Sequence, residues 1–155
     1  MKTKAFFIIP IILLILVLAV LAAGCMTPVD SNGNPGTTSS GAVEKVEVFH
    51  FHRTQQCYSC RTLGAYAEET VDTYFAPEVA SGKVVFGHVN IDLPENKALV
   101  DQYGPTGSSL WIGVYDKNGF HKEENVNVWY KIGNKEEYLA YLKGVIEKRL
   151  AGDLS

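Results

Sequence analysis

Cysteine is scarce: the 155 residues hold three, and two of them, Cys57 and Cys60, fall in one short stretch, "QQCYSCR". A disulfide framework would spread an even set of cysteines along the chain, so stapling is excluded as their purpose. Basic runs are missing as well. Fourteen Lys and Arg stand against 17 Asp and Glu, with no Lys/Arg stripe. Nothing here could follow a phosphate backbone, and no nucleic-acid partner is expected. No motif calls for a cofactor, and none is expected.

What is present begins with Met1-Lys2-Thr3-Lys4 and an apolar run from Ala5 to Ala23 interrupted at Pro10. The run closes on Ala22-Ala23-Gly24-Cys25. A short basic start, an apolar stretch and a small-residue exit make a secretory signal. A cysteine at that exit resembles the lipobox of lipoproteins, in which the Cys is lipidated and becomes the new N-terminus. The alternative is an uncleaved anchor helix, because the run approaches the roughly 20 residues that span a bilayer. On either reading the rest of the chain is expected to be exported and anchored to the outer face of the cytoplasmic membrane.

The stretch "MTPVDSNGNPGTTSSG", residues 26 to 41, cannot bury enough apolar surface to offset its ordering entropy. The expected organisation is therefore a lipoprotein-type signal peptide over 1–24, a flexible Ser/Thr/Gly/Pro tether over 25–42, and one folded domain over 43–155. Loss of Lys2 and Lys4 with the signal leaves 12 basic against 17 acidic residues.

Within the domain, "VEKVEVFHF" alternates and is rich in β-branched and aromatic residues, which predicts a first strand. Cys60, Leu63, Ala67, Val71 and Tyr74 recur at three- and four-residue steps and predict a helix from Cys57 to Ala76. "KVVFGHVNI" is nearly all apolar, as in a strand covered on both faces. Asp92 and Glu95, spaced as a capping box with Pro94 between them, predict a helix to Tyr103. A third strand follows over about Leu110 to Tyr115, and the turn "DKNG" joins it to a fourth. An extended piece is expected from Val126 to Trp129, then a final helix opened by Asn134 and Glu137. The order is β-α-β-α-β-β-α, a central mixed sheet of about four strands flanked by helices.

A C-x-x-C between a strand and a helix, in this succession, resembles the thioredoxin superfamily. "HVNID", Tyr103-Gly104 and "SLWIGVYDKNG" are similar to the family's segments in the same order, so the resemblance covers about Val43 to Leu150. More narrowly, "FHRTQQCYSCR", "VNIDLPEN" and "VWYKIGNKEEY" resemble the small secreted thioredoxin-like proteins labelled nitrophenyl compound nitroreductase subunit (ArsF family). That resemblance implies redox work with a partner enzyme.

The chemistry follows from position. Cys57 is predicted at a helix N-terminus, where free N–H groups and the macrodipole favour a thiolate. Cys60, one turn inside on the same face, can resolve a mixed disulfide. The expected activity is a membrane-tethered thiol–disulfide oxidoreductase. Its partner is a protein disulfide or dithiol, or a membrane redox protein.

Some family features are replaced. Gln56 stands for the usual Trp, and Tyr58-Ser59 for Gly-Pro. Counting six residues back from Cys57 places Phe51 where the family carries a buried acid. Ser109 falls in the motif-facing loop, where the family has a cis-proline. His88 holds the strand position of the family's lysine partner to that acid, and a titrating imidazole there is expected to accept the Cys60 proton. His50 and His52 alternate on one face at the end of the first strand.

Two alternatives stay open. One is a zinc or copper delivery module with the ligand set Cys57, Cys60, His50 and His52. The other is a non-catalytic subunit of a membrane redox complex.

Overall fold

The computed structural model describes residues 42–155. The expectations on residues 1–41, Cys25 among them, lie outside the described residues. The elements run β1 Lys45–His52, α1 Tyr58–Tyr74, α2 Ala76–Ala80, β2 Val84–Asn90, α3 Lys97–Tyr103, β3 Ser109–Asp116, β4 Gly119–Glu124 and α4 Lys135–Leu150. Two 3-10 turns, Pro94–Asn96 and Val126–Tyr130, precede α3 and α4. The sheet order is β2-β1-β3-β4. β1 pairs in parallel with β2, and the other pairs are antiparallel. This is the mixed α/β architecture that the sequence predicts.

Alternation along β1 divides the core between two faces of the sheet. Val46 and Val48 point to the face covered by α1 and α4, where they meet Leu63, Ala67 and Val71 of α1 and Tyr138, Leu142 and Ile146 of α4. Phe49 and Phe51 point the other way, into a second cluster with Val89 and Tyr103. Tyr138 also ties the two helices by donating its hydroxyl to the Leu63 carbonyl at 2.9 Å.

Local signals explain the boundaries. Asn134 caps α4 by accepting the Glu137 amide at 3.2 Å. Gly104 ends α3 at φ 77°, a left-handed conformation that glycine adopts without steric penalty. Lys122 Nζ then donates to the carbonyls of Gln102 and Tyr103 at that end. In the "DKNG" turn, Asp116 Oδ1 accepts the Asn118 amide at 2.7 Å.

Four details outside β2 depart from the sequence reading. The first helix stops at Tyr74, Phe75 turns into the core, and Pro77 opens the separate helix α2. Tyr74, expected on the buried stripe, is exposed. The Asp92–Glu95 capping box does not form, because the Asp92 carboxylate instead accepts the Thr54 amide at 2.9 Å. The Val126–Trp129 piece is a 3-10 turn rather than extended, anchored by buried Val128.

β2 differs most in its consequences. It lies at an edge of the sheet among the described residues, and only Val84 and Val89 are buried in it. Its apolar run therefore does not mark a strand covered on both faces. No helix among the described residues is long and apolar enough to cross a membrane.

Candidate dithiol site

Cys57 is the N-cap of α1, with extended backbone at φ −71° and ψ 168°. Its sulfur accepts the amide N–H of Cys60 at 3.1 Å, filling the role that a Ser or Asp oxygen takes at other helix starts. Cys57 and Cys60 are joined as a disulfide, with Cα atoms 5.1 Å apart. Cys57 is exposed and Cys60 half-buried. An attacking group from another protein can therefore reach the first sulfur more readily than the second.

The loops around the pair are tethered to one another. Arg61 Nη1 donates to the Gln56 carbonyl at 2.9 Å and closes the turn that enters the helix. Arg53 Nη2 reaches the Thr106 carbonyl at 3.4 Å, linking the loop before α1 to the loop before β3. Ser109 is the first residue of β3, opposite Phe51. It is buried, donates its hydroxyl to the Gly107 carbonyl at 3.2 Å and accepts Trp111 Nε1–H at 3.1 Å. Among the described residues no peptide bond is cis, so the loop lacks the family's cis turn.

The histidines gather on the α1 face of the sheet. His50 and His88 are register partners on β1 and β2, with Nδ1 atoms 2.9 Å apart. His52 stacks at 5.2 Å from the His50 ring. His88 Nε2 lies 3.3 Å from the Glu68 carboxylate of α1. His50 is 1% exposed, and a Cβ on Gly64 would collide with its ring. Burial, then the proximity of His88 and His52, holds the His50 imidazole down at about 3, so it is neutral at ordinary pH.

This corrects one part of the sequence argument. Phe51, counted back from Cys57, packs on the face away from α1. The polar residue beneath the dithiol helix is its neighbour His50. His88 is exposed on an edge strand and meets the helix through Glu68. The alternation of Val46, Val48 and His50 carried the signal for this placement.

The metal ligand set Cys57, Cys60, His50 and His52 does not assemble. Among the described residues no group of three or more His, Cys, Asp and Glu is arranged to hold a metal ion. The Nδ1 atoms of His50 and His88 face each other instead.

No family model matches the chain, and no curated protein matches it. Among solved structures the chain is similar to the one described as "Crystal structure of Trx4 domain of ERdj5". The identity is 15%, the match covers 68% of this chain and 82% of that one, and the TM-score is 0.44. The strand order, the mixed pairing and a C-x-x-C capping the first helix define a thioredoxin-like α/β fold with a thiol–disulfide pair.

Proposed function

We propose that the protein is an extracytoplasmic thiol–disulfide oxidoreductase. Cys57 attacks or is attacked, and Cys60 resolves the mixed disulfide. The carrying observation is the cap: an exposed sulfur sits on the free amides of a helix N-terminus, paired with a second sulfur one turn inside. Two electrons pass between this dithiol and a protein disulfide, and the direction depends on the potentials of the two couples.

Attachment to the outer face of the membrane, through lipid on Cys25 or through the apolar segment before it, belongs to the same proposal. It rests on the residues from Met1 to Cys25. The resemblance to the ArsF family adds a partner enzyme as the electron donor or acceptor.

The test is reduction of insulin disulfides by the metal-free protein in the presence of dithiothreitol. Acceleration that is lost in Cys57→Ser supports the reading. An equal rate in the Cys57→Ser/Cys60→Ser double variant would overturn it.

A further inference from the structure

Charge around the dithiol runs against the rest of the chain. Acids outnumber bases 17 to 14 overall, yet no Asp or Glu stands between Val48 and Ala67, a stretch that holds Arg53 and Arg61. The two arginines flank Cys57 in sequence and are used differently. Arg53 meets the Asp92 carboxylate at 3.6 Å. Arg61 is exposed and meets no carboxylate among the described residues. Its Nη1 donates to the Gln56 carbonyl at 2.9 Å. A guanidinium has five N–H groups, so most of its donors stay open.

The helix fixes where that charge lies. The Arg61 amide donates to the Cys57 carbonyl at 3.1 Å, which puts the residue in the first turn, beside the attacking sulfur. The tie to Gln56, the residue before Cys57, keeps the guanidinium at the entry to the helix.

Arg61 also stands on the rim of an open groove of about 250 Å³ along α1, lined by Tyr58, Thr62, Ala65 and Tyr66. Tyr58, Thr62 and Tyr66 follow at four-residue steps and share one face of the helix. Thr62 donates its hydroxyl hydrogen to the Tyr58 carbonyl at 3.0 Å, and the Ala65 side chain has no polar atom, so the floor is largely apolar. The two aromatic walls differ. Tyr66 is held edge-on against Tyr138 with ring centroids 5.4 Å apart, whereas Tyr58 is 77% exposed and belongs to neither core cluster. Near Tyr66, Lys135 lies 5.9 Å from the ring, but Glu69 meets its charge at 2.7 Å. The uncompensated charge on the groove is therefore that of Arg61. An exposed tyrosine beside an unpaired arginine is the pairing that protein interfaces favour.

We propose that Arg61 and the groove between Tyr58 and Tyr66 select the partner protein, by receiving an acidic residue and its apolar neighbour from the segment that carries the partner's cysteine. This deepens the oxidoreductase reading and rests on it. The guest carboxylate pairs with Arg61, the apolar side chain lies between the two tyrosine rings, and the partner's disulfide is presented to Cys57 Sγ. A basic segment is repelled at the same place. Arg61 and Tyr58 are specificity residues, and the reacting atoms remain the sulfurs of Cys57 and Cys60.

The test uses the reduced full chain and three synthetic peptides, each with its cysteine blocked as the 2-pyridyl disulfide. Phe precedes the cysteine in all three, and the residue before Phe is Asp, Asn or Lys. The Cys57 thiolate attacks the peptide sulfur, the bond to the pyridyl sulfur breaks, and pyridine-2-thione leaves with the electron pair and reports the rate. Rates should rank Asp above Asn above Lys, with about two- to five-fold between Asp and Asn at low salt and less at high salt. In Arg61→Gln the ratio should collapse toward one, and Arg61→Lys should restore it. Tyr58→Ala should slow the Phe peptides more than a fourth peptide with Gly in place of Phe, and equal slowing overturns the aromatic half of the proposal. Equal rates with the three peptides in the wild type overturn the whole of it. So does a ranking that survives in Arg61→Gln, where a loss shared by all three peptides would mean that the guanidinium acts on the Cys57 thiolate instead. Thione release no faster than from the Cys57→Ser/Cys60→Ser double variant removes the dithiol reading itself, which a loss of selectivity alone does not.

Discussion

The amide of Cys60 points at the sulfur of Cys57, 3.1 Å away, so the residue meant to attack and the residue meant to resolve are already coupled through the helix cap. The same N–H remains available in the reduced protein, where it would stabilise the Cys57 thiolate rather than a disulfide sulfur. Cap and nucleophile are one group. Cys57→Ala therefore removes the reactive sulfur and the cap of α1 together, whereas Cys57→Ser keeps a capping oxygen and Cys60→Ser keeps the backbone donor.

Brief iodoacetamide treatment of the reduced protein at mildly acidic pH should label Cys57 ahead of Cys60. The helix-terminal amides favour the Cys57 thiolate, and Cys57 is the more exposed of the two. Peptide mapping reads the outcome, and preferential labelling of Cys60 would reverse the assigned roles. Cys60→Ser should in turn accumulate a mixed disulfide at Cys57, visible as a covalent adduct under non-reducing conditions.

Acid should weaken the fold through His50 before the carboxylates titrate. The unfolded chain takes up a proton on this residue below about pH 6.5, whereas the folded chain resists until about 3. The stability contributed by keeping His50 neutral is thus complete above 6.5. It falls by about 1.4 kcal/mol for each pH unit below that, down to the folded value. Between pH 7 and pH 5 this amounts to about 2 kcal/mol. Urea unfolding at the two pH values should show the loss in the wild type and much less of it in His50→Gln. Equal losses would show that His50 is not the group responsible.

Much of this was legible in the sequence, and the failures share a cause. Strand and helix order followed from periodicity, and the dithiol followed from its spacing and place between strand and helix. Counting residues back from Cys57 is a one-dimensional measure, and it selected Phe51. The face a side chain occupies is set by parity along the strand, and parity selects His50. The edge position of β2 was hidden for a similar reason. Val85 and Phe86 are apolar but only partly buried, and no local pattern tells a half-covered edge strand from a central one. The Asp92 cap failed because a tertiary donor, the Thr54 amide, competes for the same carboxylate.

The second face of the sheet carries its own polar group. Glu47 is buried there, accepting the Tyr103 hydroxyl at 2.7 Å, the Tyr115 hydroxyl at 3.2 Å and Lys45 Nζ at 2.6 Å. Tyr103→Phe removes the shortest hydroxyl bond to the carboxylate and should cost about 1–3 kcal/mol. The urea midpoint should fall with the slope unchanged, since the exposed area on unfolding stays the same. An unmoved midpoint would mean that Tyr115 and Lys45 satisfy the carboxylate between them.

Lipidation at Cys25 is tested by mass spectrometry of the detergent-extracted protein. The expected product is a diacylglyceryl-modified peptide that begins at Cys25, released after the Ala22-Ala23-Gly24 exit. A peptide that still begins at Met1 would instead favour an apolar anchor.

Gly64 offers the sharpest test of how His50 is seated. In an ordinary exposed helix, replacing an interior glycine by alanine stabilises by about 1 kcal/mol. At this position the new Cβ would run into the His50 ring, with Cε1 2.5 Å and Cγ 2.9 Å away and Nδ1 nearer still. Neither group can move freely, because the ring is also held by His88 and the helix by its own core residues. Gly64→Ala should therefore destabilise by about 1–3 kcal/mol, the usual cost of overpacking. In a His50→Ala background the ring is gone, and the same substitution should become neutral or stabilising. The difference between the two backgrounds is the coupling energy of the pair, expected to be at least about 1 kcal/mol for residues in direct contact. Additive effects would mean that His50 does not sit beneath the dithiol helix.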